Sequence, residues 1–170
     1  NAIGPAIENG FYQDFDMGKL TEPDIVEYFS KYKGVTESKA DIRKEIDNYL
    51  NLDSKLISII LKLKEKGYKI ALLTNANSAF FERQVYVKYP EFKTLFDEMI
   101  ISSEVKMIKP SKEIFEYTLA KLGAKAEECL FIDDNQENLN GASLSGINGF
   151  LYTYKNVDLF TEYLKELKVL

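Results

Sequence analysis

The chain has 170 residues, which fits one domain or one domain with a small appendage. Apolar residues make up 45% and charged residues 29%, so a packed core under a polar surface is within reach. The net charge of −5 argues against nucleic acid as a partner, and no apolar run is long enough to span a membrane. No secretory leader is visible, and a single cysteine excludes an internal disulfide, so a cytoplasmic setting is expected. There is no histidine. That removes Ser-His-Asp and Cys-His catalysis, HExxH zinc sites and histidine proton shuttles. Chemistry on this chain must run on carboxylates, lysine, hydroxyls and a hard cation with oxygen ligands, such as Mg2+.

Residues 1–18 read as an irregular lead-in, with Gly4, Pro5 and Gly10. Thr21, with Pro23 and Asp24 after it, caps a helix carrying Ile25, Phe29 and Tyr32 on one stripe, closed by Gly34. Thr36 opens a second helix with Ile42, Ile46 and Tyr49 inward. Residues 19–50 therefore read as a small helical cap, and 51–170 as a core. In that core a helix at 54–66 precedes the apolar run Ile70-Ala71-Leu72-Leu73, a buried strand ended by Thr74-Asn75. A helix at 78–88 stops before Pro90, and a strand follows at 99–102. Ser111 and Gly123 bracket a helix. A third strand, 129–132, ends at Asp133-Asp134; a fourth spans 149–152, and a helix at 157–167 closes the chain. Strands alternating with helices predict an α/β fold, a Rossmann-like parallel sheet with helices on both faces.

Ligands in parallel α/β sheets bind beyond the carboxyl ends of the strands. Three polar clusters occupy such places: Thr74-Asn75, Lys109-Pro110 and Asp133-Asp134. Adjacent carboxylates repel unless a cation sits between them, and Mg2+ supplies one. A lysine neutralises phosphate charge, and a hydroxyl with free N–H groups binds phosphate oxygens. Each cluster alone also has a structural reading: a helix-capping turn for Thr74-Asn75, a solvated side chain for Lys109, a strand-ending turn for Asp133-Asp134. Asn138 reads as a residue that shapes the following loop.

The three clusters together resemble the haloacid dehalogenase (HAD) superfamily. Leu72-Leu73-Thr74-Asn75 resembles its motif II. Lys109-Pro110 with Glu113-Ile114-Phe115 resembles motif III. Phe131-Ile132-Asp133-Asp134-Asn135 with Asn138, Gly141 and Ala142 resembles motif IV. Residues 11–34 and Tyr89-Pro90-Glu91 are similar to the branch with a small helical cap, which includes sugar-phosphate phosphatases of the α-glucose-1-phosphate type. The resemblance implies a Mg2+-dependent phosphatase of small phosphorylated metabolites, a monomer or homodimer. Lys109, Thr74, Asp133 and Asp134 would be catalytic; Thr74, Asn75 and Lys109 would bind phosphate; Asp133 and Asp134 would hold the metal. Two rivals stand beside it: a 2-haloacid dehalogenase, which attacks carbon and needs no metal, and a non-catalytic HAD-like binding protein.

The family nucleophile is the first Asp of a DxD motif behind an apolar strand. Asp14-Phe15-Asp16 has the spacing, but Glu-Asn-Gly-Phe-Tyr-Gln before it is a poor buried strand. Motif I is therefore expected upstream of residue 1, and its strand belongs between those of motifs II and IV. The chain by itself is expected not to turn over.

Overall fold

The structure, a computed structural model, describes residues 10–32, 35–48 and 51–170. Helices α1 (Phe11–Asp16), α2 (Glu22–Ser30), α3 (Lys39–Asn48) and α4 (Ser54–Glu65) lead to strand β1 (Ala71–Thr74). A helical stretch follows: α5 (Ser78–Phe80), a π-helical turn (Phe81–Val85) and α6 (Tyr86–Lys88). Next come α7 (Phe92–Leu95), β2 (Glu98–Ile101), α8 (Ser102–Val105) and α9 (Lys112–Leu122). The chain ends with a 3-10 turn (Ala126–Glu128), β3 (Leu130–Asp133), α10 (Gln136–Leu144), β4 (Asn148–Leu151) and α11 (Val157–Glu166). Two compact units emerge. The first takes the described residues up to 51 with 74–93 and 101–108; the second takes 52–73, 94–100 and 109–170.

The first unit is helical. Thr21 starts α2 by donating from both its N–H and its hydroxyl to the Asp24 carboxylate, at 2.7 and 2.6 Å. Ile25, Val26 and Phe29 of α2 bury with Ile42 of α3, and Phe11, Tyr12 and Phe15 of α1 pack on that cluster. The ring of Phe11 stacks on Tyr28 with centroids 4.1 Å apart. This corrects the reading of 11–18 as irregular. A six-residue helix has no standing as an isolated element, and α1 gains its stability from the aromatic face it presents to α2. Helix α3 begins at Lys39 rather than at Thr36. The Ser38 hydroxyl donates to the Asp41 carboxylate at 2.6 Å and accepts the Asp41 N–H at 3.2 Å, a reciprocal cap at Ser38 where Thr36 was expected. Gly34, Tyr49 and the 1–9 segment lie outside the described residues.

In the second unit Asp53 caps α4, its Oδ1 accepting from the N–H groups of Lys55 and Leu56. Asp97 fastens the entry to β1: its carboxylate accepts the Ile70 N–H at 2.7 Å and pairs with Lys64 at 3.0 Å. Ile59 of α4 and Val157, Phe160 and Leu164 of α11 enclose a core with Tyr152, against which Leu130, Ile132 and Phe150 pack. Strands β3 and β4 run parallel, with Leu130 opposite Asn148 and Asp133 opposite Leu151.

The strands form two separate two-stranded sheets, β1 with β2 and β3 with β4. Among the described residues nothing pairs with the second edge of β1 or of β3. Every residue of β1 and of β3 is half-buried, although strands in a covered parallel sheet are normally buried on both faces.

Candidate functional site

Asp133 is the last residue of β3, and its carboxylate is fully engaged. Oδ2 accepts from Lys109 Nζ at 2.6 Å. Oδ1 accepts from the Asn135 N–H and from Asn138 Nδ2, both at 2.9 Å. The Lys109 and Asp133 side chains are only 9% and 8% exposed, which makes this a buried ion pair. Lys109 Nζ also stands 5.4 Å from the centre of the Phe131 ring, so the strand that ends in Asp133 supports the lysine twice. Asp134, one residue on, is exposed. The two acids therefore differ: Asp133 holds the lysine and the turn, while Asp134 faces solvent.

Two features of α10 build this corner. Asn135 caps the helix, its Oδ1 accepting the Glu137 N–H at 2.8 Å, and so fixes the turn after Asp134. Gly141, one and a half turns on, lets α10 approach the loop that carries Lys109. A Cβ there would stand 2.3 Å from the Pro110 carbonyl oxygen and 2.9 Å from Pro110 Cβ. The sequence pattern Asp133-Asp134 with Asn138, Gly141 and Ala142 thus records a strand end, an acid-binding amide and a helix face made small for a close neighbour.

Thr74 and Asn75 belong to the first unit, at the end of β1, and both are half-buried. The turn after them organises a second set of contacts that sequence reasoning missed. The buried Asn77 donates through Nδ2 to the carbonyls of Phe15 and Leu20, at 3.3 and 3.1 Å. Ser102 Oγ donates to the Asp16 carbonyl at 2.5 Å and accepts the Ala76 N–H at 2.9 Å. Lys106 Nζ donates to the carbonyls of Met17 and Gly18. Three side chains thus hold five backbone carbonyls of the 15–20 segment. Asn77, as the residue before a helix, was the one with a sequence signal. Asp14 and Asp16 lie on helix α1, and Asp14 pairs with Lys19 at 2.8 Å, so neither ends an apolar strand as a DxD nucleophile requires.

Mg2+ takes six oxygen ligands. The chemistry of Asp134 fits such an ion, and its exposure leaves its oxygens open to one. Asp133 offers its oxygens to three nitrogen donors instead. Among the described residues no group of three or more acidic, cysteine or histidine side chains gathers to hold a metal, so these residues supply only part of a ligand set.

Fold and site define an α/β protein with an acid–lysine centre at a strand end. The family model of haloacid dehalogenase-like hydrolases matches residues 8–146, and the chain belongs to that family. It is 26% identical to a sesquiterpene phosphatase of Aspergillus oryzae, over 89% of this chain and 76% of that protein. It is 26% identical to an (S)-2-haloacid dehalogenase of Burkholderia cepacia over 81% of this chain, and it spans only 59% of that enzyme. An HAD family enzyme of Bacteroides thetaiotaomicron, solved with magnesium and inorganic phosphate, superposes with a TM-score of 0.68 at 24% identity, over 88% of this chain and 80% of that one. The last likeness shows the fold. No helix among the described residues is long and apolar enough to cross a membrane.

Proposed function

We propose that the protein is a Mg2+-dependent phosphatase of small phosphorylated metabolites. The observation that carries the reading is the buried Lys109–Asp133 pair at the end of β3. A lysine held there by a carboxylate keeps its position, and phosphoryl transfer is catalysed mainly by positioning and charge stabilisation. Lys109 stabilises the negative charge on the phosphoryl group and on the attacking carboxylate. Thr74 donates its hydroxyl to a phosphoryl oxygen, and Asn75 holds the shape of that loop. Asp134 serves as a metal ligand beside Asp133, and the bound ion supplies Lewis-acid polarisation of the phosphoryl oxygens.

The reaction proceeds through an aspartyl-phosphate. A carboxylate oxygen attacks phosphorus, the bond to the ester oxygen breaks, and water then cleaves the acyl phosphate to release inorganic phosphate. Asp14, Asp16 and Asp133 are unsuited to that attack, the first two by their place on α1 and the third by its ion pair. The nucleophile belongs on a strand seated between β1 and β3, and the 170 residues alone bind phosphate without turnover.

The test has two arms. The 170-residue chain should bind inorganic phosphate by calorimetry, lose that binding on Lys109→Met, and release no phosphate from monoesters. The product of the native gene should hydrolyse monoesters with Mg2+ and stop when EDTA is added. Chloride release from 2-chloropropionate without metal would replace this reading with a dehalogenase. Binding and turnover both absent would replace it with a non-catalytic relative.

A further inference from the structure

We propose that Lys106 determines specificity, and that the cavity beside it receives a carboxylate carried on the leaving group of the substrate. This rests on the phosphatase reading and extends it to the part of the substrate that is not phosphate. The cavity lies within the first unit, measures about 270 Å³, and is lined by Gly18, Leu20, Thr21, Ser78, Ser103 and Lys106 among others. A water molecule occupies about 30 Å³ of liquid, so the space suits a small metabolite fragment. Ser78, which lines the cavity, lies four positions along the chain from Thr74, the hydroxyl assigned above to a phosphoryl oxygen.

Lys106 is held in an unusual way. Its φ is 56°, the left-handed region that glycine enters freely and lysine only at a cost. A glycine would satisfy the backbone at the end of α8 more cheaply, so what distinguishes lysine there is the reach of its ammonium group. That group donates to the Met17 carbonyl at 3.0 Å and the Gly18 carbonyl at 3.4 Å. An ammonium has three N–H donors, and one remains for a ligand. Gly18 keeps the position open: a Cβ there would stand 2.8 Å from Lys106 Nζ and 2.9 Å from Ser103 Cβ.

Charge decides the class of ligand. Glu22 also lines the cavity, but two arginines answer it. Arg83 grips it at 2.6 and 2.7 Å, and Arg43 adds a contact at 3.4 Å. No carboxylate among the described residues forms an ion pair with Lys106, whose partners are neutral carbonyls. Of the two charged residues that line the cavity, Glu22 is answered by arginines and Lys106 has no oppositely charged partner among the described residues. Ser103 Oγ accepts the Ser78 N–H at 2.8 Å and keeps its own proton to donate to a ligand oxygen.

The experiment is an amide NMR titration of the 170-residue chain with 3-phosphoglycerate and with glycerol 3-phosphate, which differ in one carboxylate. The expected result is that only 3-phosphoglycerate shifts the Ser78 and Ser103 signals. Lys106→Met should weaken that effect about tenfold, the scale of one charged hydrogen bond. Lys106→Arg, which keeps a cation and guards against a merely loosened turn, should restore it to within about threefold. Equal shifts from both ligands, no shift at Ser78 and Ser103, or an unchanged affinity in Lys106→Met would each overturn the proposal. The phosphatase reading is scored separately, by whether inorganic phosphate shifts the amides of Lys109, Asp134 and Asn135. Shifts at Ser78 and Ser103 without any there would keep the carboxylate site and discard the phosphatase.

Discussion

Lys109 Nζ stands 2.6 Å from Asp133 Oδ2, with neither side chain more than a tenth exposed. Taking two charges out of water is costly, and the pair persists because Asp133 also receives two neutral donors, Asn135 N–H and Asn138 Nδ2. Removing the lysine leaves a buried carboxylate without its counter-charge. Lys109→Met should therefore lower the unfolding free energy by roughly 3 kcal/mol in a urea titration at neutral pH. A loss below about 0.5 kcal/mol would mean that water already reaches the pair.

Asp134 should behave in the opposite way. Its side chain is exposed, and replacing an exposed polar residue usually changes stability by less than about 0.5 kcal/mol. Asp134→Asn should leave the urea midpoint in place and abolish the Mg2+ dependence of phosphate binding, measured by calorimetry with and without the ion. Asp133→Asn should unfold the protein earlier and weaken phosphate binding even without metal. If the two variants lose stability equally, the division of labour between these neighbours is wrong.

The contrast between these two acids was hidden in the sequence. Neighbours on a strand point to opposite sides, so an Asp-Asp pair at a strand end already contains one inward and one outward carboxylate. Which is which depends on where Lys109 comes to rest, and that is a tertiary fact. The α/β core was readable because its signals are local: the apolar run before Thr74, the cap at Ser111, the glycine stop at Gly123. Helix α1 was not, because its aromatic face stabilises it only against α2. The start of α3 slipped from Thr36 to Ser38 because both hydroxyls precede acids, and only the geometry at Asp41 separates them. The split into two small sheets was not read from the sequence, which was taken to predict one parallel sheet with the motif I strand between those of motifs II and IV. Lys106 had no pattern to announce it, since its left-handed backbone is invisible in sequence.

Acid and alkali should both act on the contact between Tyr152 and Asp53. The phenol donates to Asp53 Oδ2 at 2.6 Å. That bond is the largest influence holding the Asp53 carboxyl below its ordinary value of 3.8, with the N–H groups of Leu56 and Lys55 adding to it and burial opposing. A depressed carboxyl contributes stability above its unfolded pKa and loses it as the pH falls through the lower folded one. Burial, and then the bond to Asp53, push the Tyr152 phenol above its ordinary 10.0, so its contribution is present below pH 10.0 and fades as the pH rises further. Tyr152→Phe should cost roughly 1.5 kcal/mol at pH 7. The difference between the two proteins should shrink as Asp53 protonates below its ordinary value. A constant difference down to the end of the acid titration would show that the phenol does not depend on an ionised Asp53.

Gly141 gives the sharpest test of how the corner around Lys109 is packed. Exchanging a helical glycine for alanine normally stabilises by about 1 kcal/mol, because the unfolded chain loses freedom. Here the new methyl would meet the Pro110 carbonyl oxygen at 2.3 Å and Phe115 Cε2 at 3.0 Å. Phe115 is fully buried, and the Pro110 oxygen is backbone, so neither can yield cheaply. Overpacking of this kind costs about 1–3 kcal/mol and should exceed the helix gain. Gly141→Ala is expected to lower the urea midpoint and weaken phosphate binding, because the loop it displaces carries Lys109. Ser143→Ala, exposed on the same helix, should instead be neutral or slightly stabilising and serves as the control. If Gly141→Ala follows the control, α10 is not seated against Pro110, and the spacing of Gly141 from Asp133 loses its physical explanation.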